Sequence, residues 1–513
     1  MSILLKAIGF EWPNGHLLFQ NLNLSLDVHQ KYGLVGPNGS GKSTLAKLIQ
    51  GHLAPSSGKV QAKSHISYFA QSEAPPVTSV AEYLSDLWMN IMPSDTKVLD
   101  ALQTGLRFEA SCSTLSGGEW TRVRLLKLLS SGADFLILDE PTNNLDQKAR
   151  ASVVEFVRKT SRGVLVISHD RQLLGEVSSI IELSKQGVSL FGGGFEDYEV
   201  ARKRERSGLQ EDLEQAQNER DKAHLEKAKK LEVQTKRMRN AKKSVHKMGL
   251  PKILTGARKR AAENTLGKLQ AAGDQEVSEK CDAAREAYAR LKSDPLIYAD
   301  FPETVIPAGK LVFEARDFNF RYEGSSQNLW KIDVNFSMKG TSKLLIAGEN
   351  GTGKSTFLNL LTGFVRPAGI ISGSLRLGGV GFGLIDQNAM FLDRDKSVFE
   401  NVYGTSQKDV VEIRNLLAQF LFPGGKADQI VSTLSGGERV RAALARVMIA
   451  DPVPQLLILD EPTNNLDMVN LEFLEMALAK FQGALIVVSH DVTFLDKIGI
   501  TEELRLHPCS NAT

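Results

Sequence analysis

Two segments of the chain have the residue types and spacing of a phosphate-binding loop, GPNGSGKST at 36–44 and GENGTGKST at 348–356. In such a loop the glycines permit a tight turn whose backbone N–H groups converge on phosphate oxygens. The lysine neutralises the terminal phosphates, and the serine after it supplies a hydroxyl to Mg²⁺. The sequence therefore predicts two nucleotide sites. Their loop residues are Gly36, Asn38, Gly39, Gly41, Lys42, Ser43, Thr44, Gly348, Asn350, Gly351, Gly353, Lys354, Ser355 and Thr356.

Each loop is followed along the chain by an Asp-Glu pair at the end of an apolar run. Asp139 and Asp460 each come directly after four apolar residues, where a parallel strand would end at the rim of its sheet and a carboxylate could reach Mg²⁺. Glu140 and Glu461, one residue further on, are placed to orient or deprotonate the water that attacks a γ-phosphate. Two acids after a strand are commonly a solvated turn, but their position after a phosphate loop in both copies favours hydrolysis.

The chain contains the same ordered set of motifs twice. LSGGE occurs at 115–119 and 434–438, LDEPTNNLD at 138–146 and 459–467, and SHD at 168–170 and 489–491. This duplication predicts two similar domains, at residues 1–198 and 305–513, joined by a linker at residues 199–304.

Each copy is predicted to be α/β. Alternating apolar and polar residues predict half-exposed strands, and continuous apolar runs predict buried parallel strands. The predicted strands are 3–12, 135–138, 164–167 and 311–322, and the predicted helices are 44–50 and 120–129.

The composition is that of an ordinary globular protein, with 42% hydrophobic and 24% charged residues in a chain of 513. The apolar runs are much shorter than the roughly 20 residues that span a bilayer, so we expect no membrane segment. The N-terminus has neither the basic region nor the long apolar stretch of a signal peptide. Three cysteines, Cys112, Cys281 and Cys509, lack the spacing of a metal site or a disulfide framework. We expect a cytoplasmic protein with reduced thiols.

Taken together, the motifs resemble those of an ABC ATPase cassette, and the resemblance covers both halves of the chain. In each copy a glutamine, Gln71 or Gln387, follows a predicted strand between the phosphate loop and LSGGE. In the ABC family two cassettes pair head to tail, and each ATP lies between the phosphate loop of one and the Ser-Gly-Gly of the other. The first site would combine Lys42, Ser43, Gln71, Asp139, Glu140 and His169 with Ser435, Gly436 and Gly437. The second site would combine Lys354, Ser355, Gln387, Asp460, Glu461 and His490 with Ser116, Gly117 and Gly118.

The resemblance also implies roles for individual residues. His169 and His490 would each sense the γ-phosphate and belong to the catalytic set with the two glutamates. The predicted magnesium residues are Ser43, Gln71, Asp139, Ser355, Gln387 and Asp460. Asp146 and Asp467 would lie at the seam between the cassettes. Neither copy lacks an essential position, so we expect both sites to hydrolyse ATP.

Two aromatic residues, Trp12 and Tyr322, match the position where the family stacks a ring on adenine. Phe10 and Phe320 lie close by in the sequence. An aromatic residue in an early strand is as often part of the core, so both interpretations stay open. Trp120 is a departure, because the family more often has a polar residue after the signature motif, and the sequence gives no consequence for it.

The linker concentrates positive charge. Residues 227–260 contain thirteen Lys and Arg against one acid, whereas the whole chain has a net charge of +2. Lysines on a helix are commonly a solvated face. A polyphosphate partner accounts better for a charge confined to one part of the linker, because neutralising many phosphates releases counterions.

Apolar residues at three- and four-residue steps predict that the linker is an antiparallel hairpin of two helices, at about 204–247 and 257–292 and on the order of 60 Å long. The turn would be Met248-Gly249-Leu250-Pro251, within a tip at about 248–256. The predicted seam residues are Leu209, Leu213, Ala216, Leu231, Met238 and Val245 in the first helix, and Val277, Cys281, Ala284, Tyr288 and Leu291 in the second.

Three functional classes fit tandem cassettes of this kind: the ATPase subunit of a transporter, a DNA-repair-type ABC ATPase, and the ABC-F family that acts on ribosomes. EPTNNLD, present twice, resembles the ABC-F form, because transporter cassettes usually carry a different residue at Asn143 and Asn464. The linker resembles that of ABC-F proteins, which enters the ribosomal exit site and touches the P-site tRNA and the peptidyl-transferase region. This resemblance implies rRNA and P-site tRNA as partners, while the transporter and DNA alternatives stay open.

The resemblance to the ABC-F family also implies which residues meet RNA. The predicted RNA-binding residues are Lys242, Lys243, Lys247, Met248, Leu250, Lys252, Arg258, Lys259 and Arg260. The first cassette has no room for the extra arm of some housekeeping members, and only 23 residues follow His490. These features resemble the antibiotic-resistance, ribosome-protection type, and we expect a monomer whose two cassettes pair within one chain.

Overall fold

The computed structural model describes most of the chain: residues 2–85, 96–143, 145–184, 187–247, 267, 270–287, 304–363, 366–386, 391–464 and 466–509. The chain divides into two compact units, one formed by Met1–Tyr198 with Leu296–Thr513 and the other by Glu199–Pro295. The first unit holds both copies of the duplicated motifs, and the second holds the linker helices. Among the helices described, none is long and apolar enough to cross a membrane.

The first copy contains nine described strands in two sheets, a central one of six strands and a smaller one of three. Its strands are β1 (Ser2–Glu11), β2 (Leu17–Asp27), β3 (Lys31–Val35), β4 (Ser57–Gln61), β5 (Ile66–Phe69), β6 (Phe135–Asp139), β7 (Gly163–Ile167), β8 (Ser179–Ser184) and β9 (Gly187–Gly192). The central sheet has the order β5-β6-β7-β3-β8-β9 and is parallel apart from its β8-β9 pair. A separate antiparallel sheet has the order β2-β1-β4. Because parallel strands end at the same edge, β3, β6 and β7 deliver their following loops to one rim.

The central sheet of the first copy is buried on both faces, as its continuous apolar strands require. Alternate residues of β6 belong to different cores: Phe135 and Ile137 pack towards the β1-β2 side, and Leu136 and Leu138 pack on the opposite face. The helices are α1 (Lys42–Gln50), α2 (Val80–Tyr83), α3 (Thr96–Gln103), α4 (Gly117–Ser130), α5 (Gln147–Lys159) and α6 (Arg171–Leu174). Truncating one of these buried leucines to alanine would cost about 2–5 kcal/mol.

The linker contains two long helices, α7 (Phe195–Lys247) and α8 (270–287). The predicted antiparallel hairpin is confirmed in its described part, because Lys227 ion-pairs with Asp274 and Lys280 Nζ donates to Glu219 Oε2 at 2.7 Å. Partners thus run in opposite directions along the two helices. The predicted seam is observed as well: Leu213 and Ala284 are buried, and Leu209, Ala216, Leu231, Val277 and Cys281 are half-buried.

One boundary of the linker differs from the prediction. α7 begins at Phe195 and not near Arg204, because its first turn belongs to the core of the first copy, where Phe195 and Tyr198 are buried. The tip at 248–256 lies outside the described residues, together with Tyr288 and Leu291. For Met238 and Val245 only the helical backbone is described.

The second copy repeats the architecture of the first. Its strands are β10 (Leu311–Tyr322), β11 (Val334–Lys339), β12 (Lys343–Ala347), β13 (Gly369–Leu377), β14 (Phe382–Ile385), β15 (Leu456–Asp460), β16 (Ala484–Val488) and β17 (Glu502–Arg505). A parallel sheet has the order β14-β15-β16-β12-β17, and an antiparallel sheet has the order β11-β10-β13. Its helices are α9 (Lys354–Thr362), α10 (Val398–Tyr403), α11 (Val410–Gln419), α12 (Gly436–Met448), α13 (Met468–Lys480) and α14 (Val492–Ile498). The strands and helices predicted within the two copies are all present, with ends within about three residues of the predicted bounds.

Candidate functional site: two paired phosphate-loop centres

The phosphate loops join β3 to α1 and β12 to α9. Gly41 and Gly353, the N-caps of these helices, have φ of 97° and 87°, a left-handed conformation that favours glycine. A Cβ on Gly41 would also lie 2.6 Å from the Phe19 ring. Glycine therefore allows the loop to turn directly into the helix, whose first N–H groups are left free to meet an anion.

The loop lysines are buried beneath the loop backbone. Lys42 Nζ donates to the carbonyl oxygens of Gly36 at 2.7 Å and Pro37 at 3.1 Å. Lys354 Nζ repeats these contacts with the carbonyl oxygens at 348 and 349, at 2.7 and 3.0 Å. Burial lowers the pKa of both lysines, and the carboxylates that face them oppose this shift. Two carbonyl oxygens of each loop therefore fix the position of the lysine Nζ.

The aspartates that end β6 and β15 lie beside these lysines. Asp139 is buried, and its Oδ2 accepts a hydrogen bond from Tyr68 Oη at 2.7 Å. Asp460 is bonded instead by the Ser355 hydroxyl, and burial raises its pKa. Both carboxylates are at the rim of the central sheets, as predicted, but different side chains orient them.

Glu140 and Glu461 have an unusual backbone. Their φ angles are +47° and +48°, in the left-handed region that residues other than glycine rarely adopt. Their N–H groups donate to the Ile167 carbonyl at 2.8 Å and the Val488 carbonyl at 2.9 Å, so each is tied to the neighbouring strand. Burial raises the pKa of Glu140 to about 8 and that of Glu461 to about 7, although the loop lysines oppose the shift. The same strained backbone therefore recurs at the same place in both copies.

A histidine faces each of these glutamates. His169 Nε2 lies 3.6 Å from Glu140 Oε1, and His490 Nε2 lies 3.4 Å from Glu461 Oε1. Burial and the nearby lysine lower the pKa of His169 to about 3, and burial with the charges of Lys354 and Arg150 lowers that of His490 to about 4. Both imidazoles are therefore neutral at neutral pH, and each has one N–H to donate.

The centres fit a nucleotide with Mg²⁺. Among the described residues, several buried polar atoms around the first centre have no hydrogen-bond partner, including Asp139 Oδ1 and both ring nitrogens of His169. Buried polar groups are nearly always paired, so these atoms are available to a polar ligand. The described residues include no group of three or more His, Cys, Asp or Glu that could hold a metal alone. Mg²⁺ is commonly bound through one or two carboxylates together with phosphate oxygens, and each centre has an aspartate that could serve in this way.

A cavity of about 560 Å³ lies at the second centre. It is lined by Tyr322, Ser325, Leu329, Asn350, Gly351, Gly353, Lys354, Ser355, Thr356, Asp460, Glu461 and Val488. The strand, the phosphate loop and the acidic pair predicted from the sequence therefore meet around one space.

Two aromatic rings, one directly after β1 and one at the end of β10, are exposed. Trp12 is 37% exposed and Tyr322 is 42% exposed, whereas Phe10 and Phe320 are buried. Each exposed ring packs edge-on against its buried neighbour, with centroids 5.0 Å and 4.9 Å apart. Tyr322 Oη also lies 2.6 Å from Thr356 Oγ1 in the phosphate loop. The core interpretation therefore applies to the phenylalanines, and the exposed rings are free to stack on a ligand.

The signature serines begin the helices α4 and α12. Ser116 and Ser435 are N-caps, and each forms a capping box with the glutamate three residues on, Glu119 or Glu438. The glycines that follow form the first turn of each helix, where backbone N–H groups have no helical acceptor. This local geometry suits the binding of an anion.

Trp120, which the sequence left without a role, is structural. Its ring is buried, and its Nε1 donates to the Glu73 carbonyl at 3.0 Å. Arg124, one turn further along α4, pairs with the Glu73 carboxylate at 3.0 Å and lies 3.8 Å above the centre of the Phe69 ring. The segment after β5, which carries Gln71, is thereby fixed to the signature helix. No sequence motif identifies Arg124 or Glu73; Trp120 alone was a visible departure.

The two copies contact each other through the segments that follow their acidic motifs. Asp467 of the second copy accepts a hydrogen bond from the Asn38 N–H in the first phosphate loop at 2.7 Å. In the other direction, the charge of Asp146 acts on Lys354. The predicted position of these aspartates at the seam is therefore observed.

A second contact between the copies is a buried ion pair that the motifs did not predict. Arg171 donates to Glu475 through two nitrogens, at 2.5 and 3.2 Å, and each side chain is only 6% exposed. The equivalent positions on the other side are Val492 and Val154. The sequence did hold one signal for this ion pair. Arg171 is a charged residue directly after one SHD motif, where the other copy has the apolar Val492.

Some predicted site residues are not brought to a centre by described contacts. Gln71 is exposed, and Gln387 lies outside the described residues. Of the predicted RNA-binding residues, Lys242, Lys243 and Lys247 are described only as helical backbone. Met248, Leu250, Lys252, Arg258, Lys259 and Arg260 lie outside the described residues.

The chain matches known proteins over nearly its whole length. Residues 19–143 and 332–464 match the family described as ABC transporter. The ribosome protection protein VmlR of Bacillus subtilis (strain 168) is 28% identical over 94% of this chain and 82% of its own length. The ATP-binding protein Uup of Haemophilus influenzae (strain ATCC 51907 / DSM 11121 / KW20 / Rd) is 30% identical over 94% and 76%.

The fold is also found among solved structures. The structure of an RNase-L inhibitor covers 99% of this chain and 91% of its own, with a TM-score of 0.58 and 18% identity. At that identity the likeness concerns the fold alone. The two matched segments hold both phosphate loops and both Asp-Glu pairs, so the chain is an ATPase with two ABC cassettes and belongs to the ABC-F family.

Proposed function

We propose that this protein is an ABC-F translation factor that binds ATP between its two cassettes and uses the bound state to set its linker on the ribosome. The observation that carries the proposal is a basic helical hairpin inserted between two complete cassettes. The domains would be 1–198, 199–304 and 305–513, with the linker in the middle. ATP would be shared by the cassettes in two composite sites.

The phosphate loops bind the triphosphate in this proposal. Backbone N–H groups of the loops and of the first turns of α1 and α9 would contact phosphate oxygens. The ammonium groups of Lys42 and Lys354 would exchange their carbonyl acceptors for the more negative phosphates. Trp12 and Tyr322 would stack on adenine, which the exposure of both rings and the contact of Tyr322 with Thr356 support. The signature residues of the opposite cassette, Ser435 to Gly437 and Ser116 to Gly118, would close each site from the other side.

Hydrolysis would begin with a water held by Glu140 or Glu461. The carboxylate accepts the proton of that water as its oxygen attacks the γ-phosphorus, and the bond to the bridging oxygen of ADP breaks. The neutral His169 or His490 donates its N–H to the γ-phosphate, where the nearby lysine already acts. The high pKa of both glutamates makes them good proton acceptors once ionised.

Magnesium would be held by Asp139 with Ser43 and Gln71 in the first site, and by Asp460 with Ser355 and Gln387 in the second. When bound, Mg²⁺ neutralises charge on the β- and γ-phosphates. Tyr68 and Ser355, which bond the two aspartates, would hold those carboxylates in place for the metal.

Contacts between the cassettes support a clamp that depends on ATP. Asp467 already reaches the first phosphate loop through Asn38, so a ligand in that loop changes the surroundings of a residue in the other cassette. ATP would draw the signature helices α4 and α12 onto the bound phosphates, and hydrolysis would release them. Because the linker is connected to both cassettes, closure would set its position.

The ribosome is the partner that we propose for the linker. Its charge suits rRNA and tRNA, and one relative over 94% of the chain is a ribosome protection protein. The tip, with Met248 and Leu250, would approach the P-site tRNA and the peptidyl-transferase centre. Protection of the ribosome from an antibiotic, by a monomer acting in the cytoplasm, is the form of this function that the compact first cassette and long linker favour.

The proposal can be tested by purifying the Glu140→Gln, Glu461→Gln double variant from cells in the presence of ATP. Removing both proton acceptors should stop hydrolysis while leaving ATP binding intact, so the factor should stay on its target. We expect rRNA and tRNA in the eluate. The wild type and a Glu155→Gln variant, which changes a half-buried residue of α5, are the controls. Recovery of a membrane permease or of DNA in place of rRNA would contradict the proposal.

A further inference from the structure

One arginine contacts the histidine loops of both cassettes. Arg150 lies on α5, and its Nη1 donates to the backbone carbonyl of His490 in the second cassette at 3.2 Å. Its Nε lies 3.3 Å from Asp170 Oδ2 in the first cassette, and the two side chains are 14% and 6% exposed. One guanidinium therefore joins the residue after His169 to the backbone of His490.

The two loops that Arg150 joins are each part of an ATP centre. Asp170 is the N-cap of α6, where its Oδ1 accepts from the N–H groups at 172 and 173, at 3.0 and 3.3 Å. Its position is thus fixed to the segment that carries His169. His490 in turn has its Nε2 within 3.4 Å of both Glu461 Oε1 and Lys354 Nζ. A displacement of either loop therefore acts on the guanidinium.

Within the part of the chain that the structure describes, the link is found on one side of the pair. Counting from the aspartate that ends each LDEPTNNLD motif, the position of Arg150 is occupied in the second cassette by Leu471. Leu471 is buried in the core of its own cassette and has no donor to offer a carbonyl. The first centre is instead contacted across the seam by Asp467, on the phosphate loop rather than on the histidine loop.

The charge of Arg150 also reaches the reacting groups of the second centre. Burial dominates the pKa values of Glu461 and His490, and the charges of Lys354 and Arg150 both act to lower them. Asp146 opposes this effect on His490. Arg150 is thus close enough to affect the second centre, although it belongs to the cassette that supplies the first phosphate loop.

We propose that Arg150 is a positioning residue that couples the two ATP sites, transmitting the state of the first site to the histidine loop of the second. The rigid fork of a guanidinium suits this task, because its N–H groups hold two acceptors in fixed relative directions. The inference rests on the assignment of His490 and Glu461 to the second ATP site made above. It does not depend on the ribosome as the partner.

The coupling can be measured as a ratio of two turnover rates. Two parent variants would hydrolyse ATP at the second site alone. In Glu140→Gln the first site can still hold ATP, whereas in Lys42→Ala phosphate binding at the first site is weakened. With Arg150 present, phosphate release by the second site should differ between these two parents by at least about fivefold. With Arg150→Leu, which installs the residue found at the equivalent position of the second cassette, the two rates should agree within about twofold.

Controls separate this role from a structural one. Loss of stability alone would lower both rates and leave their ratio unchanged, and Arg158→Leu, an exposed position on the same helix, should also leave it unchanged. Arg150→Lys keeps the charge but not the fork, so it should reduce the ratio too, and it carries the test if Arg150→Leu does not fold. A parental ratio near one, or a ratio that Arg150 substitutions do not change, overturns the proposal. Residual hydrolysis by Glu140→Gln, Glu461→Gln would instead show that the site assignment is wrong.

Discussion

At the scale of single residues, the two cassettes carry the same motif residues, but different neighbouring side chains hold those residues in place. Asp139 is bonded by Tyr68, and Asp460 by Ser355. On the signature helix the first cassette has Trp120, where the second has Arg439. The duplicated motifs therefore do not imply equivalent centres. Each of the differing side chains is expected to have its own effect on the free energy of unfolding.

Trp120 is expected to stabilise the first cassette through both its ring and its indole N–H. Trp120→Ala should lower the free energy of unfolding by about 3–5 kcal/mol, because a large buried ring is lost. Trp120→Phe should cost less, about 1–3 kcal/mol, since it mainly leaves the Glu73 carbonyl without its donor. Urea unfolding followed by circular dichroism measures both. Arg439→Ala, at the equivalent position of the second cassette, should change stability by less than about 1 kcal/mol; an equal loss there would contradict the assignment.

The candidate phosphate-site residues could be predicted from the sequence because each motif position requires one particular chemistry. Lys42, Asp139 and Glu140 were predicted in this way, and the structure brings them together. Arg150 and Arg171 could not be, because their roles depend on which distant loops meet across the seam. The spacing of residues along the chain does not show which loops of the two cassettes come into contact.

At the scale of elements, the signature helices depend on their first turns. Ser435 caps α12, and its N–H and its hydroxyl donate to Glu438 Oε2 at 3.0 and 2.8 Å respectively. Burial alone would raise the pKa of Glu438, but these hydrogen bonds prevail and the pKa is lowered. A glutamate with a lowered pKa in the folded state stabilises the fold above its unfolded pKa, and this contribution is lost as the pH falls through the folded value.

Ser435→Ala should therefore have a penalty that depends on pH. Near neutral pH we expect a loss of about 1 kcal/mol in unfolding free energy, typical of a lost N-cap. The penalty should shrink as the pH falls from the ordinary glutamate pKa of 4.5 through the lower pKa of folded Glu438, because the carboxylate becomes protonated over that interval. Thermal unfolding of both proteins between about pH 7 and pH 4 measures it, with Ser116→Ala as the matched change in the first cassette. A penalty that stays constant over this range would contradict the role assigned to Glu438.

The linker helices make a separate prediction. Reversing the charge of the residues nearest the tip, with Lys242, Lys243, Lys247 and Lys252 changed to Glu, should abolish effects on translation while leaving ATPase activity without ribosomes nearly unchanged. The physical reason is the loss of several phosphate contacts, which also makes wild-type binding sensitive to salt. Assays of translation and phosphate release on the same preparations test it. Lys222 and Lys229, further from the tip on α7, provide the matched reversal, and loss of ATPase activity would indicate a structural role instead.

The helical hairpin was predictable from its seam, since apolar residues at three- and four-residue steps can only be buried against another helix. The start of α7 was not. Its first turn contains Phe195 and Tyr198, which are buried in the core of the first cassette. The periodicity of apolar residues does not show whether a helix begins in a linker or within the core of the preceding domain.

At the scale of the whole molecule, the two cassettes are held together by a seam that is charged on one side. Arg171→Val should destabilise the pairing by about 3 kcal/mol, because Glu475 is then left buried with less compensation. Valine occupies both equivalent positions on the other side of the seam. The double variant Arg171→Val, Glu475→Val should therefore recover much of that loss. Thermal unfolding and limited proteolysis of the single and double variants test this. A double variant that is less stable than the single one would exclude the ion pair as the reason.

In the proposed function, ATP closes the cassettes and so commits the linker to the ribosome. Sedimentation of the Glu140→Gln, Glu461→Gln variant with purified ribosomes tests this directly. In ATP this variant should remain with the ribosomal pellet to a much greater extent than the wild type, which hydrolyses ATP and dissociates. In ADP both proteins should stay in the supernatant. If the double variant in ATP associates no better than the wild type, ATP does not control ribosome binding in this protein.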